Sequence, residues 1–190
     1  MKVNLGKPGI RALGVAESFR HGQERSVLAG VVMRGDLVVD GVAFGMTRVG
    51  GDDATASIAS LCRRLARNDI NIIIVSGAVL SLYNIVDVDG LSARTKLPVV
   101  CLTYKETSGI EGSIRRHFPG APGPKLEAYR KLGRRTSVTL RTGKRVLIRA
   151  SGVETAEAKK ALDAFTLQGS VPEPVRLAKL LARAALARRN

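Results

Sequence analysis

The chain has 190 residues, 45% apolar and 25% charged, a balance that builds one folded domain, 1–190, without disulfide staples. It carries 31 Lys/Arg against 16 Asp/Glu, a net charge of +15, so the expected partner is a polyanion. With no Trp and 4% aromatic residues, a surface built from many base-stacking platforms is disfavoured, and no apolar run is long enough for a membrane span.

In chain order, ALGVAESF (12–19), SVLAGVVMRG (26–35) and LVVDGVAFGMTRV (37–49) read as three consecutive strands, largely antiparallel, with Arg34-Gly35-Asp36 as a turn. GGDDATASIASLCRRLARN (50–68) opens with a helix-start signature, Asp52 or Asp53 as cap, and repeats Ile58, Leu61, Cys62 and Leu65 at helical spacing. INIIIVSGAV (70–79) is a continuous apolar run, as in a strand buried on both faces. A helix is predicted around YNIVDVDGLSART (83–95) and a strand at LPVVCLTY (97–104). Three strands leading into alternating helices and strands imply an α/β sheet of mixed direction.

The charge is uneven. Residues 1–110 hold 13 Lys/Arg against 10 Asp/Glu, whereas 111–190 hold 18 against 6. In this basic half His117-Phe118-Pro119-Gly120 and the Pro/Gly cluster to Pro124 read as a loop, and KLEAYRKLG (125–133) as a short helix ending at Gly133. RRTSVTLRTGKRVLIRASG (134–152) reads as two strands around a Thr142-Gly143 turn. ETAEAKKALDAFT (154–166) is amphipathic, and PEPVRLAKLLARAALARRN (172–190) is a long helical pattern with Val175, Leu177, Ala178, Leu181 and Ala185 on its inner face and Arg183, Arg188 and Arg189 solvated. Cys62 and Cys101 have no metal-ligand spacing and are expected to be buried thiols. MKVNLGKPGIR lacks the apolar core of a signal peptide, so the cytoplasm is the expected location.

KPGIRALGVAESF (7–19), VLAGVVMRGDLVVDGV (27–42), GGDDAT (50–55), IIIVSGAVLSLYNIVDVDGL (72–91), RTKLPVV (94–100) and GSVPEPVRLAKLLA (169–182) together resemble the archaeal endonuclease dU family, related to endonuclease V. The resemblance covers most of the chain in the same motif order. It implies a ribonuclease H-like fold, a mixed α/β sheet flanked by helices, and in active members metal-dependent cleavage of nucleic acid. That chemistry needs several carboxylates converging on divalent ions. In the family the first strand ends in a pair of Asp; here Ala16 and Glu17 stand there. The buried strand is followed there by Asp-Gly, here by Ser76-Gly77, and the His of the last helix is Lys179. Asp53, Asp87 and Glu173 keep the pattern, but each has a structural reading: Asp53 and Asp87 as caps, Glu173 as an anchor for the last helix.

The expectation is therefore a catalytically inactive endonuclease-like domain, with no catalytic or metal-binding residue and no cofactor. It binds nucleic acid through Arg115, Arg116, Lys125, Arg130, Lys131, Arg134, Arg135, Arg141, Lys144 and Arg145. Structured RNA is favoured over DNA, with ribosomal RNA and ribosomal proteins as candidate partners, and no membrane. His117 beside Phe118 is a candidate general base or a residue that stacks on a base, against the commoner reading of an ordinary loop histidine. The alternative is an active endonuclease on uracil- or hypoxanthine-containing DNA, with Glu17, Asp53 and Glu173 catalytic and Glu17 and Asp53 holding Mg2+ or Mn2+. A membrane-surface or protein-binding adaptor is disfavoured, because no helix pairs a basic face with a broad aromatic one.

Overall fold

The structure, a computed structural model, describes residues 9–104 and 109–188. The apolar runs form the middle of one sheet because only strands covered on both faces can hide so many consecutive β-branched side chains. β1 (Arg11–Ser18), β2 (Arg25–Arg34) and β3 (Val39–Arg48) make an antiparallel meander. β4 (Ile72–Val75) lies parallel to β1, and β7 (Val99–Thr103) parallel to β4. β9 (Arg145–Ser151) runs antiparallel to β7 and pairs in turn with β8 (Thr136–Thr139). The order across the sheet is β3-β2-β1-β4-β7-β9-β8, and a separate hairpin joins β5 (Val79–Leu80) and β6 (Asn84–Ile85).

Helices cover both faces. α1 (Ala54–Leu65) and α2 (Val88–Thr95) pack Ile58, Leu61 and Leu91 against Leu13, Val15, Ile73, Val75 and Val99. On the other face α5 (Thr155–Phe165) and α6 (Glu173–Ala187) pack Leu162, Phe165 and Val175 against Ala12, Ile72, Ile74, Val100 and Ile148. Strand side chains alternate between the two clusters, as the pleat requires. α6 crosses β1 and β2. Gly14 lets it do so: a Cβ there would lie 2.3 Å from the carbonyl carbon of Pro174.

Three local expectations are revised. The helix predicted from 83 starts at Val88, because Asn84 and Ile85 pair back onto β5. The basic middle contains an unanticipated helix, α3 (Glu111–His117), before α4 (Gly123–Lys131). On α6, beyond Glu173 and Pro174 at its start, the buried residues are Val175, Ala178, Ala182 and Leu186, with the predicted Leu177, Leu181 and Ala185 part-buried at the flanks of that stripe. Arg183 and Arg188 are exposed, and Arg189 lies outside the described residues. Cys101 is fully enclosed and burial pushes its thiol up to about 12; Cys62 is part-buried and pushed up to about 11. Among the described residues no helix is long and apolar enough to cross a membrane.

Candidate functional site

The parallel strands set the location. β1, β4 and β7 all point their C-terminal ends to one edge of the sheet, and β3 joins them through two antiparallel pairings. In open α/β sheets ligands sit beyond that edge. Here Glu17 at the end of β1, Ser76 just past β4 and Tyr104 just past β7 meet Lys179 of α6. With Val79, Leu80, Val171 and Val175 they line a cavity of about 360 Å³. Tyr104 stands at its rim, and desolvation raises its pKa.

Ala16 and Glu17 point to opposite faces, as consecutive strand residues must. Ala16 is fully buried beside Val31 and Ala178, so a methyl group fills that place against α6. Glu17 faces the β5–β6 hairpin. Its carboxylate accepts from the Ser81 hydroxyl at 3.1 Å, and Ser81 reaches the Ser26 hydroxyl at 2.7 Å. Lys179 donates from Nζ to the main-chain carbonyl of Glu17 at 2.7 Å, which fixes its ammonium at this edge.

The other surviving carboxylates are held elsewhere. Asp53 precedes α1 but does not cap it with its side chain. Instead it turns back to β3 and accepts from Thr47 Oγ1 at 2.6 Å, the Arg48 N–H at 3.1 Å and Asn84 Nδ2 at 2.7 Å. Partial burial works to raise its pKa, but these donors outweigh burial and hold the carboxyl below its ordinary value. Asp87 caps α2 through the Gly90 N–H at 3.0 Å and pairs with Lys131 at 3.0 Å; the Gly90 bond, then Lys131, lowers its pKa. It borders a separate hollow of about 200 Å³ with Arg149. Glu173 is buried in the first turn of α6 and pairs with Arg176 at 2.6 Å.

These residues do not fit the carboxylate metal centre that the family pattern implies. Among the described residues no three His, Cys, Asp or Glu side chains gather around a common point. The cavity presents one carboxylate, the Ser76 hydroxyl, the Tyr104 phenol and an ammonium. A hard divalent cation wants several oxygen ligands with anionic charge, and a fixed ammonium in the wall opposes it.

The ten basic residues divide. Arg115 and Arg116 are exposed on the last turn of α3, and Arg130 and Arg134 are exposed in and after α4. Arg141, Lys144 and Arg145 sit around the β8–β9 turn. Leu147 pairs with Thr103 at the end of β7, so that turn lies at the same edge as the cavity. Asp163 accepts from the Arg141 N–H at 2.6 Å and orients it. Arg135, just before β8, is part-buried, and Lys131 is committed to Asp87. Lys125 differs from the expectation of a surface contact: it is 6% exposed and donates to Asp52, the Gly51 carbonyl and the Tyr83 carbonyl. A lysine stem that folds in to reach main-chain carbonyls carries no sequence mark that separates it from a solvated one. The polar relay Glu17–Ser81–Ser26 and the Thr47–Asp53–Asn84 cluster were also missed. Their one signal is a Ser or Thr inside an apolar strand, and Ser26 and Thr47 pair directly across β2 and β3.

Residues 8–186 match the family model described as endonuclease dU. A UPF0215 protein of Pyrobaculum aerophilum is 36% identical over 174 residues, 91% of this chain and 92% of that one. A crystal structure of an Archaeoglobus fulgidus protein superposes with a TM-score of 0.80 at 27% identity, covering 93% of this chain and 98% of the other. Endonuclease V of Ciona intestinalis, solved with a DNA containing inosine followed by a ribo-adenosine, gives a TM-score of 0.64 at 12% identity, covering 96% and 87%. The mixed sheet with helices on both faces is thus the ribonuclease H-like fold of endonuclease V.

Proposed function

The chain belongs to the endonuclease dU family, and on that premise we propose that it binds nucleic acid without cutting it, as a component of a ribonucleoprotein, with structured RNA as its target. The observation that carries this reading is Lys179. Its ammonium is fixed on the Glu17 main-chain carbonyl, in the wall of a cavity that holds a single carboxylate, where the family's chemistry calls for anionic metal ligands. Replacing carboxylates by Ala16 and Ser76 removes negative charge from an edge that phosphates approach, and the β8–β9 turn adds cations to it. The exposed Arg115, Arg116, Arg130 and Arg134, with Arg141, Lys144 and Arg145, supply a sequence-independent hold on the phosphate backbone. Ribosomal RNA and ribosomal proteins are the partners this reading favours, and the cytoplasm is where it places the chain. No cofactor enters it.

A second reading, an endonuclease acting on uracil- or hypoxanthine-containing DNA with Mg2+ or Mn2+, is favoured by one fact: Glu17 does line the cavity. Sedimentation of native lysate through a sucrose gradient, with and without ribonuclease and in high salt, tests the ribonucleoprotein role. Co-migration with ribosomal subunits that ribonuclease abolishes is the expected result. Migration as a free 190-residue protein contradicts it.

A further inference from the structure

The chain has only three Tyr, four Phe and two His, yet both histidines stand against aromatic rings. His21, after β1, lies 5.9 Å from the Phe19 ring centroid. His117, the last residue of α3, lies 5.0 Å from Tyr83, whose ring is also 6.1 Å from Phe118, edge to face. Tyr83 is half-buried and His117 is exposed. Packing alone would draw these rings inward; this pair is built outward.

The backbone beneath the pair is held in a costly shape. Ser81, Leu82 and Tyr83 are three consecutive left-handed residues, with φ of 33°, 54° and 65°, and none is glycine. Such a run persists only where its surroundings over-determine it, and it marks sites that need a fixed geometry. The surroundings do so here. The Ser81 carbonyl accepts from the Gly50 N–H at 2.6 Å, and the Ser81 hydroxyl is tied to Glu17 and Ser26. The Tyr83 carbonyl accepts from Lys125 at 3.2 Å, and the same ammonium lies 4.8 Å above the Phe118 ring. Buried Lys125 therefore clamps the Tyr83 turn to the Phe118 corner. Arg115 and Arg116 stand exposed on the helical turn that ends in His117.

We propose that Tyr83 and His117 form a preorganised stacking site for one unpaired nucleobase, with Arg115 and Arg116 contacting the phosphates on either side of it. The inference rests on the nucleic-acid reading above and sharpens it to a substrate feature. Bases inside a duplex already stack on their neighbours, so the site selects a loop, a bulge or a single-stranded end.

The test uses the full chain and two RNAs that carry 2-aminopurine, a hairpin with the probe in its loop and a blunt, fully paired duplex with the probe base-paired. Unmodified protein should bind the loop-labelled RNA about tenfold more tightly than a fully paired RNA and quench its fluorescence. His117→Ala, at an exposed position, should remove that preference and the quenching, leaving affinity for paired RNA unchanged; His117→Phe should restore both. Equal affinity for the two RNAs without quenching, or a His117→Ala protein identical to the parent, overturns the stacking site and leaves the RNA-binding reading standing. Failure to bind either RNA overturns both.

Discussion

At the scale of single residues, function turns on which polar groups have internal partners. Glu17 is held by a hydroxyl, Asp53 by three donors, Asp87 by a main-chain N–H and an ammonium, and Glu173 by a guanidinium. The sequence showed that carboxylates expected from the family pattern were missing. Where the survivors point was beyond its reach, because a carboxylate that caps a helix and one that turns back to a strand can occupy the same position. Asp53 makes the difference measurable. Its folded-state pKa lies below the ordinary value of 3.8, so the stability it contributes is full above that value and lost as pH falls through the lower folded-state value. Asp40 and Asp69, whose carboxyls bond Arg11 and Arg67, act in the same direction. Asp53→Asn should cost about 1–2 kcal/mol at pH 7, because Thr47 and Asn84 lose an anionic acceptor. Urea midpoints at pH 7 and pH 3 should show the gap between variant and parent shrinking in acid. An equal gap at both values would show that the bonds matter and the charge does not.

At the scale of elements, the apolar strands and the amphipathic helices were legible, since runs such as Ile72–Val75 have no other place to go than a covered sheet. The β5–β6 hairpin was not. NIVDVDGLSART carries helical spacing and a cap signal, but Tyr83 and its two predecessors take a left-handed turn that no propensity announces. It forms because Gly50, Lys125 and Ser26 bind it from distant parts of the chain. α3 escaped notice for a related reason: seven residues with a glycine inside have little intrinsic helicity, and Ile114 docking in the core supplies what propensity does not. Docking also makes α6 vulnerable at one point. Gly14→Ala would drive a methyl group into the Pro174 main chain, so α6 must lift from β1. Thermal unfolding should show a loss of about 3 kcal/mol or more, in the range of severe overpacking. A loss under about 1 kcal/mol would mean that the α6 contact is looser than the structure has it.

At the scale of the molecule, the net charge of +15 remains whatever ion pairs form, because each pair joins equal and opposite charges, and it is concentrated in residues 111–190. The fold brings part of that excess, around the β8–β9 turn and the end of α3, to the edge where β1, β4 and β7 end. The charge, and a resemblance that the family match confirms, were legible in the sequence, but the convergence of Glu17, Ser76 and Lys179 on one cavity needed the sheet order. On that convergence rests the proposal that the chain binds without cutting. The measurement that tests it most directly follows labelled structured RNA, and uracil- or hypoxanthine-containing DNA, with purified protein in manganese, recording both the bound fraction and the length of each strand. The expected result is RNA bound and both nucleic acids full-length, with log affinity falling against log salt at a slope of about −5 if six phosphates are engaged as on a duplex. Manganese-dependent cutting that Glu17→Gln abolishes would contradict it.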